Sequence, residues 1–201
     1  MIDVPAVTAM QREMVVRWHQ QAVDVPYDGL LGIACQQHAF NFQLWHEEDI
    51  ARSPDVGDTK IAQVKRAIDR FNQQRNDWIE KLDDWVTDWV QEQKIVPLPD
   101  ARLNTETPGS AIDRLSIISL RIFHLQEQTE RTDASAEHVE AVQRKLAVCL
   151  LQQDDLSQAL AELLDDISSG RKRHRTYRQF KMYNDPAMNP YLYKARQKPA
   201  N

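Results

Sequence analysis

Residues 38 to 52 read His-Ala-Phe-Asn-Phe-Gln-Leu-Trp-His-Glu-Glu-Asp-Ile-Ala-Arg. The run has no Gly or Pro and predicts helix, and at about 100° per residue His38, Asn41, Trp45, Asp49 and Arg52 share one stripe that continues upward through Leu31 and Ala34. A solvated helix face usually carries interchangeable Glu, Lys and Gln. This one carries an imidazole, an amide, an indole, a carboxylate and a guanidinium, most of them with directional hydrogen bonding. It fits the wall of a polar site inside a helical protein. His38 and Asp49 are the candidates for proton transfer. They stand three turns apart, too far for a dyad on one helix, so each needs a partner from another element, His124 included.

A second polar stripe, Lys65, Asp69, Asn72, Asn76, Glu80 and Asp83, follows at steps of three and four. Beside it Arg75 is the one polar member of the apolar series Ile61, Val64, Ile68, Phe71, Arg75, Trp78, Leu82, Trp85 and Trp89. A buried Arg needs an anion. Arg52, Lys65 and Arg75 would hold a small anionic metabolite, phosphorylated or nucleotide-sugar-like, against Trp45 and Asp69, with Asn41, Asn72 and Asn76 orienting it. Arg178 and Lys181 would close the site from the C-terminal segment. The competing reading is structural: Arg52 and Arg75 pair with Asp49, Asp69 or Asp83 and fix helix register.

Metal chemistry is the weaker alternative. His46, Glu48, Asp49, Glu80 and Asp83 match, in residue type only, the acidic helices that hold Mg²⁺ in all-α phosphohydrolases, but a Glu-x-x-Asp on a helix face is usually solvated surface. No metal ligand is therefore assigned, and no cofactor apart from Mg²⁺ under that alternative. Cys and His spacing does not suggest structural zinc, and neither a Gly-rich phosphate loop nor a Gly-x-Ser-x-Gly elbow is present. His124 on an apolar face reads as a satisfied core residue. His19, His138 and His174 read as surface.

These residues need helices to position them. The 201 residues include 5 Gly and 9 Pro, and Ala, Leu, Gln, Glu, Asp and Arg abound, which predicts an all-α single domain. The expected elements are a first helix from Asp3 and Pro5 to Val25-Pro26, a second over 29–52, and a long third from Asp58 to Glu92. A loop crosses over 94–107. A central fourth helix follows from Pro108 to about Arg131, then a long fifth behind Ser135 to about Ser169, with Val142, Leu146, Cys149, Gln153, Leu156, Leu160, Leu163 and Ile167 as its seam. Residues 1–170 form this bundle. Residues 171–201, basic and aromatic, form a segment expected to dock across it.

Three stretches carry a family resemblance: Asn41-Phe-Gln-Leu-Trp-His-Glu-Glu-Asp-Ile-Ala-Arg52, Ile68-Asp-Arg-Phe-Asn-Gln-Gln-Arg-Asn-Asp77 and Tyr183-Asn-Asp-Pro. Together they resemble a bacterial family catalogued as domain of unknown function 4254. The resemblance implies an all-helical bacterial protein and supplies no reaction and no catalytic residue.

The net charge of −5 argues against nucleic acid as a partner of the bundle. Cys35 and Cys149 sit in apolar helical contexts and read as reduced, buried thiols, which suits the cytoplasm. No basic-then-apolar leader and no run of 18 apolar residues is present, so neither a signal peptide nor a membrane span is expected. A non-enzymatic helical adaptor, or a homodimer through a long helix, is the competing class, with the basic-aromatic tail contacting the partner.

Overall fold

Asp3 accepts the Ala6 N–H at 3.0 Å and, with Pro5 in the first turn, starts α1 (Val4–Gln20). The computed structural model describes residues 2–182 and 185–196. Val7, Met10, Met14, Val15 and Trp18 bury one face of α1. The helix ends at Gln20, not at Val25 as its sequence suggests. Residues 21–28 are extended and carry the chain back along α1, held by Asp24, which binds Arg17 through its carboxylate and Trp18 Nε1 through its carbonyl at 3.0 Å. Pro26 also disfavours helix at Val25.

Next come α2 (Gly29–Arg52) and α3 (Asp58–Glu92), with the expected bounds. They lie antiparallel: Leu44 packs on Val64 and Ile68, whereas the earlier Phe40 meets Phe71 and Trp78. The buried stripe of α3 follows its expected seam at Val64, Ile68 and Leu82, and in the second half it takes in Ile79 and Val86 beside that seam in place of Trp78 and Trp85. Its first half faces α2 and its second half approaches α4, so a single seam cannot serve both.

The crossover contains a two-residue strand, β1 (Arg102–Leu103), that pairs in parallel with β2 (Lys172–Arg173). Neither strand is expected from the sequence. They tie the crossover to the C-terminal segment, assisted by Lys172 Nζ donating to Asn104 Oδ1 at 2.6 Å. Gly170, at φ +73°, makes the turn between α5 and β2, and a Cβ there would stand 2.7 Å from the Val96 carbonyl.

Thr107 caps α4 (Pro108–Thr129) by accepting the Ser110 N–H at 3.1 Å. This helix packs against α1, α2, α3 and α5 (Ala136–Ser168) and is the centre of the bundle, as its apolar girth predicts. Ile112, Leu115, Leu120 and Ile122 are nearly inaccessible, each contributing about 1.5–3 kcal/mol by leaving water. Gly109 lets α4 touch α3. A Cβ at Gly109 would lie 2.6 Å from the Ile79 carbonyl, and the Gly109 N–H instead donates to Asp83 Oδ1 at 2.7 Å. Burial raises the Asp83 pKa, against the lowering effect of its bonds from Thr107 and Gly109.

The C-terminal segment docks on α3. Arg178 pairs with Glu80 and Asp84, Gln179 N–H donates to Glu80 Oε1 at 2.8 Å, and Thr176 meets Thr87 at 3.1 Å. A short helix, α6 (Pro190–Arg196), follows. Tyr183 and Asn184, which carry part of the family resemblance, lie outside the described residues. Among the described residues, no helix is long and apolar enough to cross a membrane.

Candidate functional site

Six of the expected site residues meet a buried carboxylate or a cavity beside it. Asp113 on α4 is 5% exposed and accepts from two other helices: from α2, Gln37 Nε2 at 2.6 Å and Asn41 Nδ2 at 2.9 Å, and from α3, Arg75 Nε at 2.7 Å, with Arg75 Nη2 on its second oxygen. This bidentate contact raises the Arg75 pKa further. The anion demanded by Arg75 is thus Asp113, not Asp49, Asp69 or Asp83. The sequence points to a need and not to its supplier, because Asp113 shares its helix face with the apolar Ile117 and Leu120.

His38 joins the same network. Its Nε2 faces the Gln11 carbonyl at 3.0 Å and must donate, which leaves Nδ1 to accept from Ser116 Oγ at 2.7 Å. Ser116 Oγ in turn accepts from Asn41 Nδ2 at 2.8 Å, so the chain of donors is consistent with one neutral tautomer. Gln11 Nε2 donates to the Ile112 carbonyl at 3.2 Å. Burial pushes the His38 pKa down to about 3, outweighing the upward effect of the Gln11 carbonyl. His38 is fully buried with both nitrogens engaged, so it reaches no cavity in this state.

A cavity of about 370 Å³ opens between α2, α3 and α4, lined among others by Asn41, Trp45, Asp49, Arg52, Asn72 and Arg75. Sequence spacing brought these six together correctly. The two cations among them are already matched, however: Arg75 by Asp113, and Arg52 by Glu48 at 2.6 Å. Lys65 and Asp69 form an exposed i,i+4 pair away from the cavity, and Asn76 is half-buried on α3. Arg178 is committed to Glu80 and Asp84, and Lys181 Nζ donates to the Asn72 carbonyl at 3.3 Å; neither lines the cavity. The acids of the Mg²⁺ alternative are likewise dispersed, Glu48 on Arg52, Glu80 on Arg178 and Asp83 on the α4 N-terminus.

Two further hollows adjoin it along the outer face of α4. One, about 580 Å³, includes Arg114, Ile117, Arg121 and Asp155; the other, about 710 Å³, runs between α4 and α5 over Trp45, Leu125, Val148 and Cys149 with Arg121, Arg144 and Lys145 also in its lining. Ile117 borders the first cavity and the second hollow, and Trp45 borders the first cavity and the third. Trp45 is held there by stacking on His124, with ring centroids 4.7 Å apart and planes 11° off parallel.

The family described as "Protein of unknown function (DUF4254)" matches residues 32–176. The chain belongs to that family. The matched span holds α2 to α5 and therefore Asp113, Arg75, Trp45 and Arg121, and it leaves Gln11 and the rest of α1 outside. No curated protein and no solved structure matches the chain.

Proposed function

We propose that this DUF4254 protein binds a small anionic metabolite with an apolar body, seated in the groove between α4 and α5. The observation that supports this is the groove's composition: apolar Trp45, Leu125, Ala141 and Val148 line it together with the cations Arg121, Arg144 and Lys145, and its lining holds no carboxylate among the described residues. Arg144 is paired with Glu140, whereas among the described residues no carboxylate pairs with Arg121 or Lys145. The anion therefore belongs beside α4 and not at Arg52 and Arg75, whose charges are met internally. Volumes of roughly 300–1,000 Å³ are usual for small-molecule sites. Any turnover would draw on the adjoining cavity, whose lining holds Asp49 beside the shared Trp45 wall.

Cys149 provides a direct readout, since it lines the groove while Cys35 is buried with its thiol pKa pushed up to about 12. Alkylation of Cys149 by a neutral maleimide is measured with dodecyl phosphate, inorganic phosphate or dodecanol present. Dodecyl phosphate should protect Cys149 best, and Arg121→Gln should weaken that protection about tenfold, the loss of one charge-assisted hydrogen bond. Equal protection by dodecanol, or protection unchanged in both Arg121→Gln and Lys145→Gln, would refute the reading.

A further inference from the structure

His19, His46 and His124 come from three helices, α1, α2 and α4, and meet beside Phe42 and Phe123. Ring centroids are 5.2 Å apart for His19 and His46, 5.1 Å for His19 and His124, and 6.0 Å for His46 and His124. One ring nitrogen from each can be chosen so that all three lie within 4.8 Å of one another. Sequence reading treats the three separately, as a surface residue, a member of an acidic helix and a satisfied core residue. Their positions are far apart in the chain, and only the packing of α1 and α4 on α2 unites them.

The outer nitrogens of two rings are fixed. His19 Nδ1 is 2.7 Å from the Val15 carbonyl and must donate its hydrogen, and His124 Nδ1 is 2.8 Å from Glu127 Oε2 and donates likewise. In each ring the lone pair is therefore on Nε2. His124 Nε2 is buried and has no hydrogen-bond partner among the described residues. A buried acceptor left in this way is destabilising, because it has lost its water and gained no donor. An imidazole oriented by a carbonyl or carboxylate on one nitrogen, with the other nitrogen bare, is the arrangement by which metal-ligating histidines are held. In a tetrahedral zinc site the ligand nitrogens stand about 2.0–2.1 Å from the ion and so about 3.4 Å from one another, which small side-chain rotations from the present spacing supply.

We propose that His19, His46 and His124 form a binding site for one divalent transition-metal ion, zinc foremost, with Glu127 positioning His124. Three imidazoles leave a fourth coordination position for water or a ligand. Because Trp45 stacks on His124 and also walls the groove and the polar cavity, the ion would sit one ring away from both. The site does not depend on the groove having an occupant.

The test uses the full chain after treatment with chelator, titrated with Co²⁺ under visible absorption and then with Zn²⁺ against a chromophoric chelator. One ion per chain is expected, with the intense visible bands of tetrahedral Co²⁺ displaced by Zn²⁺. His46→Ala and His124→Ala should each weaken binding at least 100-fold, and His138→Ala, an exposed residue of α5, should leave it unchanged. Glu127→Gln alters a half-exposed side chain and should retain the wild-type circular dichroism while weakening binding about 10–100-fold. Stoichiometry and affinity unaffected by His46→Ala, His124→Ala and Glu127→Gln would overturn the proposal, as would binding shared equally with His138.

Discussion

Two polar layers lie along the same three helices. Gln11, His38 and Ser116 make one on α1, α2 and α4, and His19, His46 and His124 make the other, each residue eight positions further along its helix. The common step of eight shows that α1, α2 and α4 run in the same sense here. Each layer holds histidine among apolar neighbours, yet their hydrogen bonding differs. In the first, both His38 nitrogens and both Asp113 oxygens have partners, and only the Gln11 and Gln37 amide oxygens are left over. In the second, two rings are fixed on their outer nitrogens and a buried lone pair faces the centre. A closed polar layer holds helices in register; an open one is equipped to take a ligand. Residue type alone does not separate them, whereas the state of the imidazole nitrogens does: both are engaged at His38, and one is left bare and buried at His124.

The largest effect that tests this contrast is at Asp113. Asp113→Ala leaves Arg75, Gln37 and Asn41 without their shared acceptor, and the loss should be about 3–5 kcal/mol in urea unfolding, as for other broken buried ion pairs. A loss under about 1 kcal/mol would mean that the first layer does not hold the bundle together. His38 comes next. Its folded pKa of about 3 lies below the ordinary 6.5, so between these values the unfolded chain binds a proton that the folded chain does not. Its contribution is fully present above about pH 6.5 and falls by about 1.4 kcal/mol per pH unit as the pH drops toward 3. Comparing the pH dependence of unfolding in wild type and His38→Leu isolates it; equal slopes would show that His38 charges readily when folded. His46→Leu in chelator should cost less than about 1 kcal/mol, because among the described residues His46 makes ring contacts and no hydrogen bond in the second layer. A cost matching that of His38→Leu would erase the distinction between the layers.

The fold was largely legible because its signals are local. Caps at Asp3, Thr107 and Ser135, prolines at helix starts and apolar spacing mark all five long helices, and only the end of α1 is misplaced, since its stop depends on Asp24 folding back onto Arg17 and Trp18. The strand pair and α6 escape because β1 and β2 are two residues each and meet across some seventy positions. In the site, the residues lining the cavity from α2 and α3 were legible from two stripes joined by a short turn. Asp113 and the histidine cluster were not, because each depends on α1 or α4 arriving from far away in the chain. A clue to Asp113 was present: an acid on an otherwise apolar helix face needs a cation as surely as Arg75 needs an anion.

The smallest effect concerns Arg52, which the sequence nominates as an anion ligand beside Arg75. Its guanidinium is 70% exposed and bonds to Glu48, four residues earlier on the same helix, through both the side chain and the carbonyl. A pair of this kind contributes little, because water screens it and two long side chains must be ordered to make it. Arg52→Ala should therefore change unfolding stability by less than about 0.5 kcal/mol. With Glu48 already on it, Arg52 also has little attraction left for a ligand, so dodecyl phosphate protection of Cys149 should survive the substitution while Arg121→Gln weakens it. If Arg52→Ala weakens protection as much as Arg121→Gln does, the Glu48 pair must open on binding. The anion would then lie in the polar cavity between α2 and α3, on the near side of Trp45, and the matched charges there would be a resting state.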